Sequence, residues 1–188
     1  MVITTSPLVK TYTLQEFWDL PEPADRSKME LIKGVLYMTP PPGFPHDDVW
    51  GNLNKQLQRA LDRHGYQGTI YAPRAAVWID DATYLEPDLM YISDELKAQM
   101  GPRHRTRADI VVEIISSTSA SYDRRTKSDT YQAMGVREMW LVDSEKEEIE
   151  VRSFEAGKAA VYRMTESLRS EVLPNIEIPV ASVFGELA

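Results

Sequence analysis

The residue of this sequence whose position most strongly suggests chemistry is a glutamate inside an apolar stretch. Glu113 interrupts the run DIVVEII from Asp109 to Ile115, which is rich in β-branched residues and apolar at both alternating sets of positions. This pattern predicts a strand that is buried on both faces. Because a buried unpaired charge costs several kcal/mol or becomes protonated, we expect Glu113 to have a partner and a functional role.

The stretch after this strand predicts a helix that could supply the partner. Four candidate capping residues, Ser-Ser-Thr-Ser, precede it, and Gly135 is a typical helix end. Asp123, Lys127 and Tyr131 are spaced four residues apart and therefore share one face. The helix can aim Lys127 at Glu113, although a local pair with Asp123, worth a few tenths of a kcal/mol, is the alternative.

Two further acids lie in strand-like surroundings. Asp88 follows Glu86-Pro87 at the opening of a predicted strand that ends at Ser93, and a turn acid after proline is the competing interpretation. Glu30 lies on the first strand of a hairpin predicted over Met29–Met38. An exposed acid on an edge strand is the alternative for this residue.

Strand-borne carboxylates that converge form a site of hard oxygen ligands. Proteins hold Mg²⁺ or Mn²⁺ with one or two carboxylates together with water and substrate phosphate. Such a metal lowers the pKa of a bound water and offsets charge in a transition state at phosphorus, and a nearby lysine can orient the water. The candidate site residues are therefore Glu30, Asp88, Glu113 and Lys127.

The composition is that of an ordinary globular protein, and it excludes several kinds of site. The chain has 188 residues, 43% hydrophobic and 27% charged, a length that favours one domain with an ample core. The absence of cysteine excludes disulfides, thiolate nucleophiles and cysteine-ligated zinc. The three histidines lack the spacing of a zinc site, and the serines after the central strand lack the pattern of a nucleophile.

The charge balance gives no general support for nucleic-acid binding. The net charge is −8, whereas nucleic-acid binders usually carry a basic face. Two local clusters are candidates for phosphate contact, with a solvated surface as the competing interpretation: Arg103, His104, Arg105 and Arg107, and Arg124, Arg125 and Lys127. Since no signal peptide or run of transmembrane length is visible, we expect a soluble, cytoplasmic protein without membrane contact.

The order of predicted elements favours an α/β or α+β fold. Apolar residues at spacing four define a helix from His46 to His64, and strand-like runs lie on both sides of the central strand and helix. This order predicts a mixed β-sheet flanked by helices. We expect one domain over 1–188, with 1–45 an N-terminal helix and hairpin extension and 155–188 a C-terminal tail.

Several short motifs follow one another in a specific order. They are Glu-Pro-Asp88, then Ala-Asp-Ile-Val-Val-Glu113-Ile-Ile-Ser-Ser, then Asp123, Lys127 and Tyr131, and finally Gly-Val-Arg-Glu-Met-Trp140-Leu-Val-Asp143. The upstream Glu30-Leu-Ile-Lys-Gly-Val-Leu-Tyr-Met and His46 belong to the same pattern. From Thr13 to Phe154 the chain resembles the Uma-type putative restriction endonuclease family of the PD-(D/E)xK nuclease superfamily.

The resemblance implies a restriction-endonuclease-like sheet with a divalent-metal site at the splayed end of its central strands. Asp88 and Glu113 would be metal ligands, and Glu30 an additional acid on the metal or a water. Lys127 would be the catalytic lysine. The implied activity is that of a Mg²⁺- or Mn²⁺-dependent DNA endonuclease, and cutting both strands of a duplex favours a homodimer.

One position departs from the superfamily pattern. There the lysine follows the second acid by two residues, but Ile115 holds that place in this chain. Because Ile115 and Glu113 share a strand face, a lysine arriving from the next helix could occupy much the same space. The alternatives are a catalytically idle nuclease-fold module that binds or regulates, and a metal hydrolase with a closed pocket that does not act on nucleic acid. The direction of Lys127 distinguishes an active site from an idle module.

Overall fold

A computed structural model describes residues 9–101, 104–116 and 121–185. The strands in these residues are β1 (Lys28–Ile32), β2 (Val35–Thr39), β3 (Gly68–Tyr71), β4 (Val77–Asp80), β5 (Thr83–Leu85), β6 (Leu89–Ser93), β7 (Ile110–Ile115), β8 (Glu138–Asp143), β9 (Glu148–Ser153), β10 (Lys158–Arg163), β11 (Ser167–Arg169) and β12 (Glu177–Pro179). The helices are α1 (Leu14–Trp18), α2 (His46–His64), α3 (Asp94–Gln99), α4 (Ser128–Ala133) and α5 (Ala181–Phe184). A π-helical segment, Tyr122–Lys127, runs directly into α4.

A six-stranded mixed sheet lies at the centre of the fold, in the order β10-β9-β8-β7-β6-β3. β7 pairs in parallel with β8, and the other neighbours in this sheet are antiparallel. Every residue of β7, the strand that carries Glu113, is buried, as its apolar pattern predicts. The prediction of a mixed sheet flanked by helices is confirmed.

The two faces of this sheet pack against different helices. Ile110 and Val112 of β7 belong to a core cluster with the apolar face of α2. Val111 and Ile115 belong to a second cluster, which includes residues of α3 and α4. Since side chains alternate along a strand, Glu113 faces α4 and not α2. The helix predicted to supply its partner is therefore on the correct side.

A smaller sheet, in the order β2-β1-β5-β4, contains the N-terminal hairpin. The predicted turn between β1 and β2 is formed by Lys33 and Gly34, both with positive φ. β1 pairs with β2 on one side and with β5 on the other, so it is an internal strand. Glu30 on β1 is only 1% exposed, and its interpretation as an exposed edge-strand acid is wrong.

The sequence pattern missed several short elements. Residues 80–83 predict only a turn, but Thr83–Leu85 forms β5, which is too short to show an alternating pattern. The run from Val161 to Met164 does predict a further strand, and β10 lies there at the edge of the large sheet, whereas the β11–β12 pair and α5 were not predicted. Leu168, Ile178 and Val183 from this region are buried in the same core cluster as α2.

Some sequence predictions fall on residues outside those described. These are the capping candidates Ser117, Thr118 and Ser119, and Arg103 of the first basic cluster. Over the three described ranges, no helix has both the length and the apolar character needed to cross a membrane.

Two glycines should respond in opposite directions to the same substitution. A Cβ on Gly68 of β3 would lie 2.6 Å from the carbonyl oxygen of Ile92 and 2.7 Å from the ring of Tyr91. We expect Gly68→Ala to destabilise the fold by about 1–3 kcal/mol, the usual cost of overpacking. Gly51 of α2 has nothing within 4 Å of its Cβ position, so Gly51→Ala should stabilise by about 0.5–1 kcal/mol. Urea unfolding of both variants measures this difference, and equal effects would contradict the packing at β3.

Candidate active site

Asp88 and Glu113 come together through the pairing of β6 with β7. Leu89 pairs with Val112 in this antiparallel register, so the preceding Asp88 lies beside Glu113. The backbone N–H of Ile114 donates to Oδ2 of Asp88 at 2.8 Å. Asp88 is therefore fixed to the edge of β7, and its interpretation as a simple turn acid does not explain these contacts.

Helix α2 holds Asp88 from the other side. His46, the first residue of α2, places Nε2 3.3 Å from Oδ2 of Asp88. Trp50, one turn later, donates its indole N–H to the carbonyl oxygen of Asp88 at 2.9 Å. Because Oδ2 of Asp88 is occupied by His46 and the backbone of β7, Oδ1 is the oxygen left for other contacts.

Glu30 reaches the same place from the smaller sheet. Its Oε1 accepts the backbone N–H of Glu86 at 2.9 Å, which ties β1 to the segment before β6. The Tyr122 hydroxyl donates to Oε2 of Glu30 at 3.3 Å. An acid from one sheet thus lies close to the two acids of the other sheet.

Lys127 connects these acids. Its Nζ lies 3.0 Å from Oε2 of Glu30, 2.9 Å from Oε1 of Glu113 and 3.5 Å from Oδ1 of Asp123. The lysine is 1% exposed, so these ion pairs lie in the interior. Lys127 does contact Asp123, but that local pair is not its only role, because two strand-borne carboxylates are closer.

The π-helical segment positions Lys127 and the residues on either side of it. A π-helical turn is wider than an α-helical turn and is frequent at functional sites. Tyr131, four residues further on, is fully buried and donates its hydroxyl to Oε1 of Glu113 at 2.6 Å. The sequence placed Asp123, Lys127 and Tyr131 on one face, and all three are buried in the structure.

Sequence reasoning missed a second lysine in the cluster. Lys28 of β1 points to the same side as Glu30, because the two residues are two apart on a strand. Its Nζ donates to the carbonyl oxygen of Glu86 at 2.8 Å and lies 3.5 Å from Oδ1 of Asp88. The two-residue spacing of Lys28 and Glu30 was a signal that they share a strand face. The predicted strand began at Met29, one residue later, and therefore left Lys28 out.

The two glutamates have opposite shifts in pKa. Burial raises the pKa of Glu113 to about 8, against the effect of the Lys127 and Lys28 ammonium groups, and the Asp88 charge adds to the rise. Burial also opposes ionisation of Glu30, but the same two lysines outweigh it and hold the pKa of Glu30 below its usual value. Thus Glu30 is the ionised partner of Lys127 at neutral pH, whereas Glu113 is mostly protonated.

Lys127 and Asp88 both keep their charged forms. Burial disfavours the ammonium of Lys127, but Glu113 and Glu30 raise its pKa well above the usual value. Burial opposes ionisation of Asp88 too, and Lys28 and His46 nevertheless hold its pKa below the usual value. The cluster can therefore present a carboxylate and a protonated lysine to a substrate.

The basic clusters differ in how much charge remains available. Arg124 is paired with Asp143 and Glu150, so its charge is already neutralised within the fold. Arg125 is exposed and lines a cavity of about 450 Å³ together with Tyr37 and other residues. Of the second predicted cluster, Arg125 is thus the residue placed to meet a phosphate.

In the first basic cluster, the described residues pack on aromatic rings or form hydrogen bonds. His104 stacks on Trp78 with ring centroids 4.8 Å apart, and Arg105 lies over the ring of Tyr71. Arg107 donates to the side chain of Gln99 at 3.2 Å. These contacts favour a structural role for this cluster.

By donor type, the cluster suits a hard divalent cation. Oxygen atoms from Glu30, Asp88 and Glu113 face one position, which the ammonium of Lys28 occupies. No three acidic or histidine side chains in the described part of the chain are close enough to hold a metal together. The acids are spread around the ammonium of Lys28.

Stability of the metal-free protein should fall as the pH rises through the neutral range. The usual pKa of a glutamate is 4.5, whereas that of Glu113 in the fold is about 8, so the folded state binds the proton more tightly than the unfolded state does. Between these values each rise in pH costs stability. In Glu113→Gln this contribution is absent, and we expect a flatter dependence of the free energy of unfolding on pH between about 5 and 8.

Urea unfolding in EDTA across this range provides the measurement. Asp129→Asn, at an exposed position of α4, is the matched control and should keep the wild-type slope. Equal slopes for wild type and Glu113→Gln would contradict the raised pKa.

Comparison with known proteins agrees with the motifs and the fold. The profile of the Uma2 family, described as "Putative restriction endonuclease", matches residues 14–181. Among solved structures, the fold is similar to the crystal structure of a putative nuclease of the DUF820 group from Anabaena variabilis. The identity is 16% and the TM-score 0.73, over 92% of this chain and 97% of that chain, a likeness that concerns the fold alone. No curated protein matches the sequence.

The family match spans most of the chain and includes all four predicted site residues, Glu30, Asp88, Glu113 and Lys127. It also covers the large sheet, the hairpin and the helices that bring those residues together. The protein therefore belongs to the Uma2 family of putative restriction endonucleases.

Proposed function

We propose that this protein is a divalent-metal-dependent endonuclease that hydrolyses phosphodiester bonds of DNA. The observation that carries the proposal is the buried contact of Lys127 with Glu30 and Glu113, at 3.0 Å and 2.9 Å. A lysine held among carboxylates beside Asp88 suits hydrolysis at phosphorus, because it combines hard ligands with a fixed positive charge.

Three acids would supply oxygen ligands to the metal, and they would have to move closer together than they lie in the described residues to do so. Asp88 and Glu113 present oxygens from neighbouring strands, and Glu30 adds an oxygen from the smaller sheet. These are ligands that Mg²⁺ and Mn²⁺ prefer. When bound, the metal would supply a water of lowered pKa and offset negative charge on the phosphate.

The residues of the chain would share the remaining work. Hydrolysis forms a bond between a water oxygen and phosphorus and breaks the bond to the leaving sugar oxygen. Lys127 would donate a hydrogen bond to the attacking water or to a phosphate oxygen. Glu30 and Glu113 fix its ammonium, and Tyr131 in turn fixes Glu113 through its hydroxyl.

One observation favours an alternative, a catalytically idle nuclease-fold module that binds or regulates. The acids surround Lys28, whose ammonium already provides a positive charge at their centre. In an idle module, Lys28 would neutralise the acids permanently, and no metal would be needed. Metal binding and DNA nicking distinguish the two functions.

DNA as substrate is part of the proposal, and so are a homodimer and a cytoplasmic location. The family supports DNA as substrate, and cleavage of both strands of a duplex favours two-fold symmetry. Light scattering coupled to gel filtration measures the oligomeric state. A mass equal to that of one chain would contradict the dimer.

Metal binding and catalysis should separate in two variants. We expect Glu113→Gln to lose most Mn²⁺ binding in calorimetry, because it removes a ligand. Lys127→Met should keep metal binding, because the charge of bound Mn²⁺ replaces that of the lysine among the acids. It should lose at least about 100-fold in the rate of plasmid nicking, since one preorganised donor is worth about that much. Lys55→Met, at an exposed position of α2, makes the same change of charge and should nick at the wild-type rate.

Two results would contradict this assignment. If Lys127→Met, shown by circular dichroism to be folded, nicks as fast as Lys55→Met, then Lys127 has no catalytic role. If wild type binds no Mn²⁺ at millimolar concentration, the metal-dependent function is wrong and the idle module is favoured.

Arg125 should contribute to DNA affinity without affecting the metal. It is exposed at the cavity that Tyr122 also lines, and Tyr122 contacts Glu30. We expect Arg125→Met to weaken binding of a duplex in Ca²⁺ and to reduce the slope of log K against log salt by about 1, as for one lost phosphate contact. Arg59→Met on the exposed face of α2 is the control. An unchanged slope would show that bound DNA does not contact Arg125.

A further inference from the structure

We propose that Lys28 is a tethered cation that occupies the metal position when no metal is bound and leaves it when a divalent ion enters. This inference rests on the proposed function, because it concerns the same cluster of acids. It assigns a role to a residue that none of the motifs identified, and it makes metal binding an exchange of one cation for another.

The ammonium of Lys28 lies at the centre of an oxygen shell. Nζ is 2.8 Å from the carbonyl oxygen of Glu86 and 3.5 Å from Oδ1 of Asp88. It is 3.9 Å from Oε1 of Glu30 and 3.9 Å from Oε2 of Glu113. Charged hydrogen bonds are about 2.7–2.9 Å long, so Lys28 is not docked on any one carboxylate but lies between all three.

The two lysines of the cluster use different oxygens. Lys127 contacts Oε2 of Glu30 and Oε1 of Glu113, whereas Lys28 faces Oε1 of Glu30 and Oε2 of Glu113. Each glutamate therefore presents one oxygen to each lysine. The oxygens on the Lys127 side also receive the hydroxyls of Tyr122 and Tyr131.

Asp88 divides its oxygens in the same way. Its Oδ2 is held by His46 and by the N–H of Ile114, and its Oδ1 faces Lys28. The oxygen atoms of Asp88 and Glu113 that remain available to a metal ion are therefore the ones that point at Lys28. A metal bound to those atoms and the ammonium of Lys28 would compete for the same space.

The buried acids require some cation at this position. Carboxylates that share a site in the interior repel one another, and a buried charge without a partner is strongly destabilising. Lys127 neutralises one side of the cluster, and Lys28 neutralises the other. The metal-free protein thus keeps its acids correctly placed, at the cost of a weaker apparent affinity for the metal.

Lys28 can leave, whereas Lys127 cannot. The side chain of Lys28 is 19% exposed, against 1% for Lys127. Lysine carries its charge on a flexible four-carbon stem, so the ammonium can move into water while β1 stays in place. Once displaced, it would lie at the rim of the site, where a phosphate group approaches.

Calorimetry with Mn²⁺ tests this exchange. Lys28→Met keeps the shape of the stem and removes the charge, and Lys55→Met is the control for charge alone. We expect Lys28→Met to bind Mn²⁺ at least about tenfold more tightly than wild type, within the range typical for two ligands that oppose each other. Lys55→Met should bind as wild type does.

The melting temperature should change in the corresponding direction. In EDTA, Lys28→Met should melt at a lower temperature than wild type, because its acids have lost a counter-ion. Saturating Mn²⁺ should raise its melting temperature by more than it raises that of wild type, since stabilisation by binding to the folded state grows with the logarithm of affinity.

A second measurement uses the wild-type protein and does not depend on the folding of Lys28→Met. The ammonium group of Lys28, hydrogen-bonded to Glu86, should give a protected ¹⁵N resonance in lysine-labelled protein, assigned by its absence in Lys28→Arg. Saturating Mg²⁺ should move this resonance to the position of a solvated lysine and leave that of Lys127 protected.

The outcomes separate this inference from the proposed function. Equal Mn²⁺ affinity in wild type and Lys28→Met, with no change in the Lys28 resonance, would overturn the exchange but leave the metal site intact. Weaker binding in a folded Lys28→Met would make Lys28 a support for the site and would also overturn it. Absence of Mn²⁺ binding in both proteins would overturn both proposals.

Discussion

The buried ion pairs of Lys127 are the interaction on which the arrangement of this site depends. Without that ammonium, Glu30 and Glu113 would be two buried acids with only the more distant and partly exposed ammonium of Lys28 near them. Such groups become protonated or destabilise the fold. Replacing the whole cluster by apolar residues would in many proteins be neutral or stabilising, so its presence favours function over stability as the reason for it.

The fold brings this interaction about by joining two sheets at one point. Glu113 comes from the centre of the large sheet, and Glu30 comes from an internal strand of the smaller sheet. The backbone of Glu86, just before β6, connects the two sheets. Its N–H donates to Glu30 and its carbonyl oxygen accepts from Lys28, and both of these residues are on β1. The π-helical segment positions Lys127 on the face of the large sheet that carries Glu113. The site exists only where the two sheets and the π-helical segment come together.

The sequence predicted the parts of the site that create a local anomaly. Glu113 stands out because an acid inside IVVEII contradicts the pattern around it, and Lys127 stands out because its helix follows at once. The long, regular helix α2 and the hairpin were also visible, since their apolar spacing and turn residues are distinctive. Such features depend on residues close together in the chain.

What the sequence did not reveal depends on contacts between distant residues. The burial of Glu30 requires β5 to pair with β1, and β5 has only three residues, too few to show a pattern. The position of Lys28 inside the acid cluster depends on the meeting of the two sheets. Likewise, the π-helical turn at Lys127 leaves no mark in a pattern that α-helical spacing already satisfies.

Diffraction from crystals grown with Mn²⁺, at a wavelength where manganese scatters anomalously, would locate a metal at this cluster. We expect an anomalous peak bounded by Oδ1 of Asp88 and Oε2 of Glu113, with Lys127 still between Glu30 and Glu113. A peak at a distant site, or no peak while Lys28 remains among the acids at saturating Mn²⁺, would contradict a metal-dependent active site at this cluster.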